Sequence, residues 1–140
     1  MIDLLWRIVD SVEFPLLVTT SADGHAVVRP MHLLERDGRR FWFATSAAST
    51  KVQQMRADPR VTLVFSRPDL FNYASVYGRV ELLRGSAELR RRLWREEWGD
   101  HWPAGAADED YLLLCVVGER ASYYYGYMDH HEEVELSPQP

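Results

Sequence analysis

Apolar residues fall at Leu4, Leu5, Ile8, Val9 and Val12, a spacing that puts them on one side of a helix over residues 1–12, with Asp3 in its first turn. The period then drops to two. Residues 14–20 (FPLLVTT) read as a strand, Ser21-Ala22-Asp23-Gly24 as a hairpin turn, and residues 25–34 as the returning strand. Pro30 inside that strand removes a ladder donor, which implies an edge, a bulge or a functional bend. Arg36-Asp37-Gly38-Arg39 predicts a second turn, leading into a strand over 40–45.

Residues 41–65 organise the rest: strand, small-residue turn, short helix, strand. Thr50 is the predicted N-cap, with Gln53 as its capping-box partner, and Asp58-Pro59 ends the helix before Val61 opens the next strand. Residues 66–71, with Pro68 and Asp69, read as a loop; residues 73–83 read as a long strand with a bulge or close approach at Gly78. Ser86 caps a helix to about Trp98, with Leu89, Leu93 and Trp94 on one side and Arg90, Arg91, Arg92 and Arg95 solvated. An aromatic-then-flexible loop over 102–108 precedes an apolar strand (111–117) and an aromatic one (121–125), and the polar residues from about 129 predict a frayed tail. Five or six short strands in a meander, with a few helices outside, predict a mainly β chain with α elements, a small antiparallel barrel in one domain spanning residues 1–140.

Composition narrows the function classes. The formal net charge of −5, with no basic tail, argues against nucleic-acid binding. The single Cys115 excludes an intrachain disulfide framework and suits a reducing cytoplasm. No apolar run reaches the length of a membrane span and the N-terminus lacks a signal-peptide pattern, so the expectation is a cytoplasmic protein without a membrane partner.

The chemistry concentrates in the central stretch. Thr45, Ser46, Ser49 and Thr50 supply hydroxyls in a turn of small residues, the helix start supplies free amides and the positive end of its dipole, and Lys51 is the sole lysine of the chain. Together they read as a phosphate cradle. Arg29-Pro30-Met31 precedes the aromatic strand by one hairpin and is expected beside Phe43-Ala44-Thr45, where Arg29 and Lys51 can clamp one phosphate and Met31 can face a flat ring. Other candidates read as structural. The histidines in Asp129-His130-His131-Glu132-Glu133 lack the spacing of a closed metal site, so no metal is assigned; Cys115 reads as core, His32 as a satisfied edge residue, and the tyrosines over 123–127 as packing.

Arg29-Pro30-Met31, then Phe43-Ala44-Thr45-Ser46 with Ser49-Thr50-Lys51-Val52, then Asp58-Pro59-Arg60-Val61, then Tyr73-Ala74-Ser75-Val76-Tyr77-Gly78-Arg79-Val80-Glu81 resemble, in order and spacing, the pyridoxamine 5′-phosphate oxidase-like FMN-binding split barrels. Leu93-Trp94, Trp102-Pro103-Ala104-Gly105 and Asp108 with Leu112-Leu113-Leu114 resemble the general stress protein 26-like branch. The resemblance spans roughly residues 14 to 125 and implies a six-stranded antiparallel split β-barrel with peripheral helices. It also implies a homodimer with a flavin in each of two clefts at the interface. Carried over by position, Arg29, Ser49 and Lys51, with Thr45 and Ser46, would bind the FMN phosphate; Pro30, Met31, Phe43 and Ala44 would lie by the ring or ribityl chain. Tyr73 would reach the cofactor, and Trp94, Trp102 and Tyr124 would close the cleft.

Two departures matter. Thr50 stands where the oxidases usually carry arginine, removing a charge from the phosphate site, and residues 123–128 replace their Arg-x-His substrate motif, so pyridoxamine phosphate oxidation is not expected. The resulting expectation is a homodimeric FMN-binding protein, possible as a flavin-dependent oxidoreductase of an unknown small-molecule substrate, with no residue named as catalytic. A non-catalytic flavin-binding stress protein or sensor is the alternative from another class. FAD, the deazaflavin coenzyme F420 or haem are alternative cofactors, and Arg56 and Arg60 are available at the cleft mouth for a longer anionic tail.

Overall fold

The computed structural model describes residues 2–136. Helix α1 (Ile2–Val9) buries Leu4, Leu5, Ile8 and Val9, the stripe that its periodicity predicts. Strands β1 (Leu16–Thr20) and β2 (Ala26–Pro30) form a hairpin whose turn closes through Ser21 N to His25 O at 2.9 Å, with Gly24 at φ 86°. Strands β3 (Glu35–Asp37) and β4 (Arg40–Ser46) form the second hairpin, and α2 (Thr50–Ala57) leads to β5 (Arg60–Arg67). Then come β6 (Asn72–Leu83), α3 (Ala87–Leu93), β7 (Tyr111–Tyr125) and β8 (His130–Glu135).

All strands join one antiparallel sheet, which is not closed, in the order β2-β1-β5-β6-β7-β4-β3, with β8 also on β7. Eight strands thus stand where six are expected. The surplus comes from the short β3 and from β8: the residues read as a frayed tail alternate in burial and pair with β7 from Arg120↔Glu135 to Tyr125↔His130. The two strands predicted over 111–117 and 121–125 are one. Strand β7 holds β6 along most of its length, β4 along the first half of its other edge and β8 along the second half. Gly118 lies where β4 and β8 meet on that edge; its amide donates to Arg39 O at 2.8 Å. The predicted bulge is present, with register slipping at Tyr77/Gly78, and a Cβ on Gly78 would stand 2.2 Å from Val117 O.

The inner face of the curved sheet carries the core: Leu17, Phe41, Phe43, Leu63, Phe65, Val76, Leu114 and Tyr123, each fully buried and alternating with outward residues, under α1 and α2. A second apolar cluster lies on the outer face of β4 and β7, where Leu93, Trp102, Tyr111 and Leu113 gather Trp42, Trp94 and Trp98. Arg90 anchors it. Contrary to the expected solvated face, Arg90 is 8% exposed and donates to the carbonyls of Ala106, Arg84, Tyr111 and Asp108 at 2.8–2.9 Å, its guanidinium 4.6 Å from the Tyr111 ring centre. The predicted helix to Trp98 accordingly stops at Leu93, and a 3₁₀ turn over Glu96–Trp98 follows. No helix of the described residues is long and apolar enough to cross a membrane.

Candidate functional site

Arg29, Thr19 and Gln54 form one polar group at the end of the sheet interior. Arg29 Nη1 donates to Thr19 Oγ1 (2.8 Å) and Leu17 O (3.2 Å), Arg29 Nη2 to Gln54 Oε1 (3.3 Å), and Thr19 Oγ1 to Gln54 Oε1 (2.6 Å). Next to it Lys51 Nζ donates to Thr45 Oγ1 at 3.0 Å. Burial, and then the charge of Arg29, hold the Lys51 ammonium below the ordinary lysine value of 10.5, while burial lowers Arg29 as well. Among the described residues no carboxylate lies within ion-pair distance of either cation. Two half-buried positive charges therefore face one region without a counter-ion.

Ser49 caps α2, not Thr50, and its hydroxyl does not bond the helix amides; Ser49 Oγ is buried without a hydrogen-bond partner. The cap one residue earlier leaves Thr50 and Lys51 as the opening residues of α2, whose amides have no intrahelical partner by geometry. The turn before them is occupied in a way the sequence does not reveal. Ser46 Oγ donates to Asp110 Oδ2, Ala48 N to Asp110 Oδ1 at 3.1 Å, Trp102 Nε1 to Asp110 Oδ2 at 3.2 Å, and Ala47 N to Asp110 O at 2.8 Å. The Ser46 hydroxyl foremost, with Trp102, the Ala48 amide and the His101 charge, holds the Asp110 carboxyl below the usual carboxylate range.

Beside the cradle opens a cleft of about 410 Å³. It is lined by Ala44, Thr45, Ser46 and Lys51 from β4 and the start of α2, by His32 and Leu34, and by Trp98, His101 and Trp102. Trp98 and Trp102 meet edge-on at 5.6 Å, and Trp102 packs on Tyr111 at 5.1 Å, which fixes an apolar wall suited to a flat ring. His32 stacks on Phe14 at 4.7 Å and pairs with Glu13 at 3.1 Å, a satisfied edge histidine that also lines the cleft.

The structure brings Ala44, Thr45, Ser46, Lys51 and Trp102 to one cleft; Arg29 and Ser49 do not line it, Arg29 acting on the Lys51 charge and Ser49 capping α2 two residues before Lys51. It does not bring the others. Strand β2 lies at the sheet edge and does not pair with β4, so Arg29-Pro30-Met31 are not neighbours of Phe43-Ala44-Thr45, and of the three only Arg29 acts on Lys51. Pro30 is exposed, Met31 packs against the core, and the Phe43 side chain is fully buried inside the sheet. Trp94 supports the aromatic wall from behind, 5.6 Å from Trp98. Tyr73 and Tyr124 pair across β6 and β7 with rings 5.8 Å apart, near the end of β7 opposite Tyr111. Arg60 is taken up by Asp58 and opens on a different surface with Tyr77 and Arg120. Asp110, Trp98, Thr19 and Gln54 carry no local sequence signal, because long-range pairing alone places them.

The chain matches the family model described as pyridoxamine 5′-phosphate oxidase like over residues 1–131. It is 31% identical over 101 residues to a pyridoxine/pyridoxamine 5′-phosphate oxidase of Thermosynechococcus vestitus, covering 72% of this chain and 47% of that protein. The chain thus spans about half the length of that curated relative. Among solved structures it is similar to a protein of Clostridium acetobutylicum related to general stress protein 26 (24% identity, TM-score 0.79, 96% of this chain and 93% of that one). It is also similar to an FMN-binding, pyridoxamine 5′-phosphate oxidase-related protein of Nostoc punctiforme (14%, TM-score 0.65, 98% and 95%). A haem-binding protein of Mycobacterium smegmatis shares the fold too (15%, TM-score 0.71, 91% and 55%).

Proposed function

We infer that this chain, which belongs to the pyridoxamine 5′-phosphate oxidase-like family, is an FMN-binding protein that serves as a flavin-dependent oxidoreductase for a small-molecule substrate. One observation carries the reading: Arg29 and Lys51, half-buried and without a carboxylate partner, act on one another's charge, and the orphaned hydroxyl of Ser49 caps α2 two residues before Lys51. A buried hydroxyl without a partner and two uncompensated cations are unfavourable in isolation and are resolved together by one phosphate.

The residues fit the group. Ser49, Lys51, Arg29 and the opening amides of α2 would hold the phosphate, Thr45 would orient Lys51, and Ala44 with the Trp98–Trp102 wall would receive the ring. The bound flavin supplies the redox chemistry, and the chain supplies position, a water-poor wall and fixed positive charge. Residues 123–128 offer no cation in place of the oxidases' Arg-x-His, so the substrate differs from pyridoxamine phosphate.

A second copy of the chain completes the proposal. The outward residues of β2, β1, β5 and β6 include an uncharged tract: Val28 opposite Val18, Val18 opposite Thr62, Leu16 opposite Val64, and Val64 opposite Ser75. Val28 and Tyr73 are 53% and 44% exposed there. Such a face suits a homodimer, and Tyr73 and Tyr124, remote from their own cleft, can reach a cofactor only from the partner.

The test is the visible spectrum of the purified protein before and after FMN, FAD, deazaflavin or haem is added. A flavin spectrum with FMN uptake weakened about tenfold or more in Lys51→Ala is expected. A wild type that takes up haem alone, or nothing, overturns the reading. Anaerobic addition of NADH or NADPH followed by a quinone then separates an oxidoreductase, which turns over, from a flavin-binding sensor, which does not.

A further inference from the structure

We propose that a second cleft, between α3 and the turn Gly105–Ala107, is a ligand site of its own and takes an organic monocarboxylate with an apolar body. It shares no lining residue with the cleft beside Lys51, and the inference does not rest on the flavin reading.

The cleft measures about 810 Å³, within the size range of small-molecule sites. Its shape is built before any ligand arrives. Arg90 reaches from α3 to the facing segment, donating to Ala106 O at 2.9 Å and Asp108 O at 2.8 Å, and it also donates to Arg84 O at 2.8 Å. Those bonds hold α3 and the turn at a fixed separation, so little ordering is left for a ligand to bring about.

The charges of the lining do not cancel. Arg84, Arg90 and Arg91 line the cleft against one acid, Glu109, and none of the three has a carboxylate within ion-pair distance among the described residues. Arg84 Nη1 donates to the backbone carbonyl of Glu109 and not to its carboxylate. Arg90, 8% exposed, spends four of its five N–H donors on neutral carbonyls, and its fifth has no acceptor among the described residues. The Arg91 side chain is exposed and makes no hydrogen bond among them. Guanidinium forks of this kind match a carboxylate. The rest of the lining is small: Ala87, Ala104, Ala106 and Ala107 present methyl groups, which suit an apolar body and offer nothing to a polar one. A small inorganic anion leaves that part unused, and a dianion meets the Glu109 charge, so a single carboxylate on an apolar body fits best.

Isothermal titration at neutral pH tests the site with benzoate against three controls: acetate carries the charge without the body, benzyl alcohol the body without the charge, and phthalate a second charge. The wild type should bind benzoate at one saturable site, about fivefold or more tighter than any control. Arg91→Gln should weaken benzoate about tenfold. Ala107→Leu, which fills the cleft without changing its charge, should weaken it as well, and Lys51→Ala in the other cleft should leave it unchanged. Glu109→Gln should bring phthalate closer to benzoate. Absence of saturable benzoate binding overturns the proposal, as does acetate binding equally well, or benzoate binding lost in Lys51→Ala and kept in Arg91→Gln. Should Ala107→Leu not fold, Arg91→Gln, an exposed position without side-chain bonds, carries the comparison. Benzoate binding that follows this pattern in a protein that takes up no flavin supports the site and leaves the cofactor reading to fall by itself.

Discussion

Two cations half-buried side by side are held against their own repulsion, and Lys51 shows the result in a depressed pKa caused by burial first and Arg29 second. The sign of the pH effect follows. Below the depressed folded value the ammonium is charged in both the folded and unfolded states, and its burial counts against folding. As pH rises from that value toward 10.5 the folded state loses its proton first, so the ligand-free protein gains stability. Phosphate affinity runs the opposite way, because a neutral amine does not attract an anion. FMN affinity should therefore fall with alkaline pH, beginning below 10.5, and Lys51→Arg should move the fall upward. Titration of FMN binding from neutral to about pH 11 checks this, and a wild-type profile that coincides with that of Lys51→Arg refutes it. At this scale the sequence discloses residues whose type is their signal: a sole lysine, an arginine beside a proline, hydroxyls in a small-residue turn. Asp110 and Gln54 stay hidden, because an acid or an amide acquires its role only from the donors that the fold brings to it. The cap moves from Thr50 to Ser49 for a similar reason, since both have suitable side chains and local pattern cannot rank them.

Arg90 illustrates how an element can depend on one side chain. Its guanidinium donates to four carbonyls and ties α3 to the 105–108 turn and to the start of β7. Arg90→Ala leaves those carbonyls without their donor and should cost about 2–4 kcal/mol, measured by urea denaturation, with Arg90→Lys recovering only part. A loss below about 0.5 kcal/mol would mean that water replaces the donor. Gly78 sets a second limit. A methyl group there meets the Val117 carbonyl at 2.2 Å, so Gly78→Ala should destabilise by about 1–3 kcal/mol in the same assay. The bulge, the α1 stripe and the first hairpin are legible because each depends on local chemistry: a glycine, a helical period, an Asp-Gly turn. The helix through Trp98 is overread because the arginine run looks solvated, when one member of it points inward. Strand β8 is underread because edge strands keep polar residues on their open face, and His130–Glu135 resembles a tail until β7 pairs with it.

Across the whole molecule, strand order is the least legible property, since pairing partners are non-local; β2 and β4, adjacent along the chain's hairpins, lie toward opposite edges of the sheet. That order also separates the cleft from Tyr73 and Tyr124, and it sets the test of assembly. Val64→Glu places a charge on the uncharged outer tract and should convert a dimer to monomer in sedimentation velocity while weakening FMN uptake; a monomer with undiminished uptake would show that one chain completes the site. A different consequence follows from β7, hydrogen-bonded along both edges for most of its length. Its amides should exchange with deuterium only when the entire sheet opens, whereas the irregular segment bearing Trp98, His101 and Trp102 should exchange through small local excursions. That pattern of exchange would mark the floor of the cleft, on β4 and braced by β7, as the part that opens last, and the backbone carrying its tryptophan wall as the part that opens first.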